Sequence, residues 1–444
     1  MGMRITLVSP SAHDTYSKIM RSAKRQPTLG PAYLIACLRD KKHTVRYLDA
    51  DALDLIGESA VREILKTDPE IIGISLTTSL FAETKKISRA LRQSGWRGHL
   101  TLGGIHPSSL PEETLRMIPE ADSAVLDEGE IAVVKLAELL ERKEPLSEGI
   151  GLVYRIQDCG EEKVVFSKRP PEMISCLDEL PLPALDTYPM ERYVSPLWTE
   201  GLAKRMGVLI TARGCPFRCV FCASGAGCRL SYRQHGIGRV LEEIKRLRND
   251  YRADYLIFND DTFTADKKRC LAICRGMEKE NLCLPFMITS RVDTVDRELL
   301  SAMKNAGLFM VTYGIESGSQ KILDAIGKKV TLEKIRGAIG ESKVLGLKTI
   351  GNYMFGHWED TAGTCRETLE FARELACDIS QFAITIPYPG TQLYRRAFLE
   401  GRIPATEDYR DFGYYGNAPW QHPVLSAGEL IAFQKEAYDT FPNR

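Results

Sequence analysis

No stretch of the 444 residues approaches the ~18–20 consecutive apolar positions that a membrane-crossing helix needs. The opening "MGMRITLVSPSAHD" also lacks the long apolar core of a secretory leader. Neither sign of charge is in excess, because Lys plus Arg and Asp plus Glu both number 59. A balanced chain gives nucleic acid or an anionic membrane no overall electrostatic attraction. The expected setting is therefore cytoplasmic, without a nucleic-acid partner and without a transmembrane segment. Hydrophobic residues at 44% and charged residues at 27% fit a folded globular chain, and the length accommodates two or three domains.

A disulfide framework is also missing. Of twelve cysteines, eight are dispersed, namely Cys37, Cys159, Cys176, Cys270, Cys274, Cys283, Cys365 and Cys377. They sit in apolar or helical contexts, where a free thiol behaves as a small hydrophobe. Long chains with scattered thiols are not secreted scaffolds. Cys270 and Cys274 would share a helix face, and one such pair reads as packing.

What is present is alternation of strand and helix patterns. Over residues 1–145, short apolar runs such as "MRITLVSP", "TVRYLDAD", "EIIGISLTTS", "HLTLGG" and "SAVLDEGE" alternate with amphipathic segments. That spacing predicts a doubly wound, Rossmann-like parallel sheet with ligands at the strand carboxyl ends. Those ends hold small and hydroxyl residues: Thr77, Thr78 and Ser79, Gly103 and Gly104, His106, and Glu128 and Gly129. No GxGxxG follows the first strand, which disfavours a nicotinamide dinucleotide. Residues 146–204 read as a hairpin followed by a proline-spaced connector, "LDELPLPALDTYP". From 205 to about 400 the alternation resumes in six β/α units, predicting a barrel whose chemistry lies at the strand carboxyl ends. Polar residues fall there: Asn259, Asp260 and Asp261; Ser290, Arg291 and Asp293; Glu316 and Ser317. Residues 401–444 form a short helical extension. The expected class is thus α/β, a Rossmann-like domain followed by a partial (β/α)6 barrel.

One loop concentrates the remaining thiols. "TARGCPFRCVFCASGAGC" carries Cys215, Cys219, Cys222 and Cys228. A structural zinc site wants four ligands, commonly as two separated pairs, and this C-x3-C-x2-C spacing supplies three. A disulfide would strand one thiol. Iron–sulfur clusters take cysteine thiolates as their usual ligands. Three thiolates on a [4Fe–4S] cube leave one iron open to a chelating small molecule. That reading leaves Cys228 outside the ligand set, as a bystander.

The stretch "RGCPFRCVFC" resembles the CxxxCxΦC signature of radical S-adenosylmethionine (SAM) enzymes, with Phe221 as the aromatic Φ. The resemblance implies Cys215, Cys219 and Cys222 as cluster ligands and Phe221 beside the adenine. SAM on the open iron is then cleaved by one electron to methionine and a 5′-deoxyadenosyl radical. "YGIESGSQ" resembles the fourth-strand motif of that family, which implies Glu316 and Ser317 as SAM contacts. Asn259, Asp260 and Arg291 join them by strand-end position. "PTLGPAYLIACLRDKKHTVRYLDAD", "TLGGIHPSSLPEE" and "VLDEGE" look like the cobalamin-binding domain of cobalamin-dependent radical SAM enzymes, so the resemblance covers residues 1 to about 400. It implies cobalamin contacts among Thr77, Thr78, Ser79, Gly103, Gly104, His106, Glu128 and Gly129. No D-x-H-x-x-G motif is present, so no motif supplies an axial histidine, and His106 is not assigned that role. The turn "FGHWEDT" departs from the Gly–x–Pro–Gly type usual in relatives, bringing His357 and Trp358 either to substrate or into a packed turn.

The function implied is a cobalamin-dependent methyltransferase acting on an unactivated carbon of a small molecule. The alternative is a non-methylating radical reaction, such as cyclisation, dehydration or rearrangement, with or without cobalamin. An external electron donor such as flavodoxin or ferredoxin is implied by either. Methylthiotransferases carry a second cluster on three N-terminal cysteines, whereas only Cys37 precedes Cys159 here. A purely structural cluster in a sensor fits poorly with three-thiol spacing and a polar barrel mouth.

Overall fold

The computed structural model describes residues 2–12, 26–193, 204–226 and 231–441. The chain divides into two compact units, Met1–Val194 with Ala405–Asp411, and Ser195–Pro404 with Phe412–Arg444.

In the first unit, strands β1 (Arg4–Ser9), β2 (Thr44–Asp49), β3 (Ile71–Ser75), β4 (His99–Gly103) and β5 (Ser123–Val125) are parallel. They alternate with helices α1 (Leu29–Asp40), α2 (Glu58–Leu65), α3 (Phe81–Gln93), α4 (Ile105–Ser109), α5 (Pro111–Met117) and α6 (Gly129–Arg142). Strands buried on both faces need unbroken apolar runs, and Ile5, Leu7 and Val8 or Ile71, Ile72 and Ile74 supply them. The strand order is β2-β1-β3-β4-β5-β6-β7, so it reverses beside β1, where crevices form at the carboxyl edge of such sheets.

The hairpin of the connector is β6 (Leu152–Asp158) and β7 (Glu161–Phe166), and it extends this sheet antiparallel to β5. Residues after it pack back on the same unit. Tyr188 stacks on Tyr47 with centroids 4.2 Å apart and donates to Thr28 O, while Tyr193 donates to Asp49 Oδ2 at 2.6 Å. Burial raises the Tyr47 and Tyr193 hydroxyls well above their ordinary range, which keeps both as donors.

The second unit holds six parallel strands in the order β15-β14-β13-β12-β11-β8. They are β8 (Met206–Leu209), β11 (Tyr255–Phe258), β12 (Phe286–Ser290), β13 (Leu308–Glu316), β14 (Lys348–Phe355) and β15 (Ile379–Ile384). β8 and β15 stay as edges, so the barrel is partial. A two-stranded ladder, β9 (Ala212–Arg213) with β10 (Arg233–Gln234), brackets the cysteine loop and its short helix α7 (Ala223–Ala226). Crossover helices α8 (Ile237–Asn249), α9 (Lys267–Lys279), α10 (Arg297–Asn305), α11 (Gln320–Ala325), α12 (Leu332–Val344) and α13 (Ala362–Leu375) connect the strands. Two helices follow, α14 (Gln392–Leu399) and α15 (Ala427–Thr440), and Phe433 and Tyr438 of α15 cover Phe355 and Phe382. No helix among the described residues is long and apolar enough to cross a membrane.

Candidate active site

The cysteine loop is held by groups from several strand ends. Asp260, just past β11, accepts from Thr211 N at 2.6 Å, from Thr211 Oγ1 and from Ala212 N at 3.1 Å. Arg269 of α9 donates to Thr211 O at 2.7 Å and to His235 O at 3.0 Å, tying both strands of the small ladder together. Burial outweighs the bonds made to Asp260 and raises its carboxyl to about 6. Farther along, Val220 N donates to Ile326 O at 3.1 Å, and Leu393 N to Val220 O at 3.0 Å. The loop is therefore pinned to the fourth unit of the barrel and to α14.

Cys215, Cys219 and Cys222 are free thiols on this loop. Cys215 Sγ lies 3.5 Å from Thr262 Oγ1, and Cys222 N donates to Cys219 O at 3.1 Å. Burial pushes the Cys219 thiol up, with Lys328 and Arg291 drawing it back; Cys222 is pushed up as well. Among the described residues, no three His, Cys, Asp or Glu side chains converge closely enough to hold a metal ion as placed. The thiols share a loop without forming a closed ligand set. Cys228 lies outside the described residues.

Arg291, at the end of β12, is buried beside this loop. Its guanidinium is gripped bidentately by Asp293 at 2.9 Å, donates to Lys328 O at 2.6 Å and to Cys219 Sγ at 3.8 Å, and covers the Phe217 ring. Glu316 ends β13 at a register shift, with φ +70°, and Lys328 Nζ donates to its carboxylate at 2.8 Å. A Cβ on Gly314 would lie 2.5 Å from Glu316 Oε1 and 2.9 Å from Lys328 Nζ. Glu316 shares the face of Gly314, as residues two apart on a strand do, and the bulge shifts only its pairing on β14, from the Asn352 row to Tyr353. Lys328 itself gave no sequence signal, since it follows α11 in an unpatterned loop.

Other expected contacts are placed differently. Asn259 is exposed at the end of β11. Ser317 is buried, sharing a hydrogen bond with Thr368 Oγ1 at 3.1 Å and accepting from Ser319 N at 3.1 Å, so its hydroxyl braces the loop after β13. Asp260 likewise spends its oxygens on the loop backbone. Phe221 packs against a cluster of Trp358, Leu393, Ala397 and Trp420, with its ring 5.2 Å from that of His357. Trp358 is packed against Trp420 and beneath the Arg396 guanidinium, as a turn-filling residue. His357 is fully buried, and burial together with the Lys328 and His422 charges lowers it to about 3. Its Nδ1 is 3.4 Å from Thr385 Oγ1 and its Nε2 has no hydrogen-bond partner.

In the N-terminal unit the carboxyl edge is formed by exposed Thr77, half-buried Ser79 and Gly103. A Cβ on Gly103 would meet nothing nearer than 3.9 Å, so the backbone is open to a flat ligand. Gly104 has φ +115°, and a Cβ there would lie 2.8 Å from Leu76 O. Thr78 and His106 face inward and bond each other at 3.0 Å. The imidazole is enclosed by Phe81 and Tyr409, and burial lowers it to about 3. Glu128 is buried, with Oε2 accepting from Ile174 N at 2.9 Å, and Gly129 begins α6.

Residues 19–137 match the family described as B12 binding domain, and residues 209–372 match the Radical SAM superfamily. An uncharacterized methyltransferase of Pyrococcus horikoshii is 34% identical over 92% of this chain and 86% of its own length. An anaerobic magnesium-protoporphyrin IX monomethyl ester cyclase of Rubrivivax gelatinosus is 28% identical over 97% and 75% respectively. Among solved structures, the cobalamin-dependent SAM radical enzyme OxsB, with aqua-cobalamin and SAM bound, aligns with a TM-score of 0.77 at 19% identity. That alignment covers 99% of this chain and 67% of OxsB.

Proposed function

Because this chain belongs to the radical SAM superfamily, in the subgroup that sets a B12 binding domain ahead of the barrel, we propose that it methylates an unactivated carbon of a small molecule. The observation that carries this reading is the C-x3-C-x2-C loop at the carboxyl end of the first barrel strand, with Arg291 and Lys328 beside it. The two cations favour thiolates at Cys219 and offset the negative charge that a thiolate-bound cluster brings. When bound, a [4Fe–4S] cluster supplies the electron for reductive cleavage of SAM, and cobalamin carries the methyl group.

Within this reading, Cys215, Cys219 and Cys222 hold the cluster, and Asp260, Arg269 and Thr211 hold their loop. Glu316, on the inner face at the end of its strand, accepts from a hydroxyl or ammonium of SAM while Lys328 fixes its carboxylate. Asn259 is exposed at the neighbouring strand end, and Phe221 lies on the loop itself, between Cys219 and Cys222. Ser317 acts as a positioning residue. On the N-terminal unit, Thr77, Ser79 and the Gly103–Gly104 backbone form the edge that receives cobalamin. Thr78, His106, Glu128 and Gly129 support that edge from behind. An external one-electron donor of the flavodoxin or ferredoxin kind serves the cluster.

Methyl transfer is favoured by the P. horikoshii relative, named a methyltransferase. The Rubrivivax relative, named a cyclase, supports a second reading in which the same radical start leads to ring closure. Anaerobic reconstitution with iron, sulfide, SAM and dithionite separates these possibilities. The expected product is 5′-deoxyadenosine, with Cys215→Ala, Cys219→Ala and Cys222→Ala each abolishing it and Cys228→Ala keeping wild-type iron content. Cleavage surviving in any of the first three variants would refute the ligand assignment. Cobalamin-supplemented protein should show corrinoid absorption and move label from the SAM methyl group to product; failure of both with cleavage intact favours the cyclase-like reading.

A further inference from the structure

The concave face of the second unit carries a band of uncharged polar side chains that the cofactor chemistry leaves unused. Strand register builds it. Thr289 of β12 stands opposite Thr312 of β13. One row farther along, Gly314, Asn352 and Gln381 stand opposite one another on β13, β14 and β15. In-register residues of a parallel sheet share a face, and the next residue along each strand takes the other. Tyr353 and Phe382 are those next residues. They stack at 4.9 Å, and Phe382 meets Tyr438 and Phe441 on the helix-covered side. Asn352 and Gln381 therefore project from the opposite, concave side, with Met354 and Ala383 two positions on.

Asn352, Gln381, Met354 and Ala383 are all half-buried, unlike their fully buried outward neighbours. Gly314 contributes no side chain, and the inward-turned Glu316–Lys328 pair overhangs this row. Those two charges neutralise each other at 2.8 Å. The Asn352 carboxamide oxygen is enclosed and has no hydrogen-bond partner. Enclosed polar atoms without partners are rare in folded proteins, because each forfeits its hydration.

We infer that Asn352 and Gln381 form the substrate-reading site of the barrel, resting on the radical SAM assignment above. The group they take is uncharged and offers an N–H or O–H to Asn352 Oδ1, with a second polar atom for Gln381. A primary amide on an apolar skeleton meets both demands, with Met354 and Ala383 lining the apolar part. A carboxylate or ammonium held by Asn352 and Gln381 would lose its hydration, and the nearest charges, Glu316 and Lys328, are already paired with each other or engaged with SAM.

Equilibrium dialysis of reconstituted holoenzyme against benzamide and benzoate, with SAM dialysed in parallel, tests the site. Wild-type protein should retain the amide over the acid. Asn352→Leu and Gln381→Leu should each lower amide retention about five-fold, the loss of one net hydrogen bond. Asn352→Gln, which keeps the carboxamide, should recover part of that loss. Equal retention of amide and acid by wild type, or leucine variants that hold benzamide as wild type does, would overturn the proposal. So would a parallel loss of SAM, which would assign the pair to the cofactor. Wild-type holoenzyme that binds benzamide selectively but never SAM would instead sink the radical SAM reading and leave this site standing.

Discussion

Asp360 shows how much one buried carboxyl does for the barrel rim. It accepts from Gly356 N at 2.9 Å, His357 N at 2.8 Å and Thr364 Oγ1 at 2.7 Å, closing the turn that places His357 and Trp358. Burial still dominates and raises its carboxyl to about 6. A carboxyl raised on folding holds its proton more tightly in the folded state. Its stabilising contribution is therefore full below about pH 4, the unfolded value, and is lost as pH rises through about 6. Asp360→Asn keeps an acceptor and removes the titration. In urea denaturation from pH 4 to 7, the wild-type midpoint should fall relative to that of the variant, and parallel profiles would refute the argument. Residue identity alone did not reveal this. Asp360 lies in a turn whose residues were read as substrate contacts or packing, and its partners show that it closes that turn, ahead of the helix cap Thr361. Ser317 and Glu128 carry the same lesson: a hydroxyl and a carboxylate at strand ends are chemically apt for a ligand, yet both are spent on neighbouring protein groups.

At the scale of elements, the strands of both sheets were legible because each is a short apolar run between turn residues, repeated at α/β spacing. The two-residue ladder of β9 and β10 was not, since two residues display no period. The bulge in β13 was equally invisible, because an extra residue in a strand shows only against its partner's register. The Gly103–Gly104 step is the clearest case where an element's end depends on one residue type. Ala at position 104 would be strained at φ +115° and would drive its Cβ into Leu76 O. Gly104→Ala should destabilise the N-terminal unit by about 1–3 kcal/mol and weaken corrinoid retention. Denaturation together with corrinoid absorbance checks this, and wild-type values for both would show that the edge tolerates a side chain.

On the scale of the whole molecule, the chain does not simply leave one unit for the next. Residues Ala405–Asp411 fall between α14 and α15, both of the second unit, yet belong to the first. Tyr409 fastens them there: its hydroxyl donates to Glu113 Oε1 at 2.6 Å and its ring lies against Phe81 and His106. Tyr409→Phe should cost about 1 kcal/mol for the lost hydrogen bond, and Tyr409→Ala about 3 kcal/mol or more for the emptied volume. Both losses should appear in unfolding of the N-terminal unit, with iron content of the cysteine loop unchanged; equal stability of all three proteins would show that the segment is not held by this side chain. Nothing in the composition of 401–444 marked that return, because it is made by Tyr409 and by Lys85 Nζ donating to Glu407 O at 3.0 Å, contacts between groups about three hundred positions apart in the chain.

The sequence by itself determined what is local. Three thiols within eight residues stay near one another however the chain packs, and short apolar runs at regular spacing dictate parallel α/β layers. Tertiary structure alone decided what depends on register and side-chain direction. It set Lys328 against Glu316, enclosed His106 behind Thr78, turned Ser317 into a brace, and aligned Asn352 with Gln381 across two strands. The reason is physical: covalent spacing survives any fold, whereas the face a side chain presents is chosen only when neighbouring strands pair and helices cover one side of them.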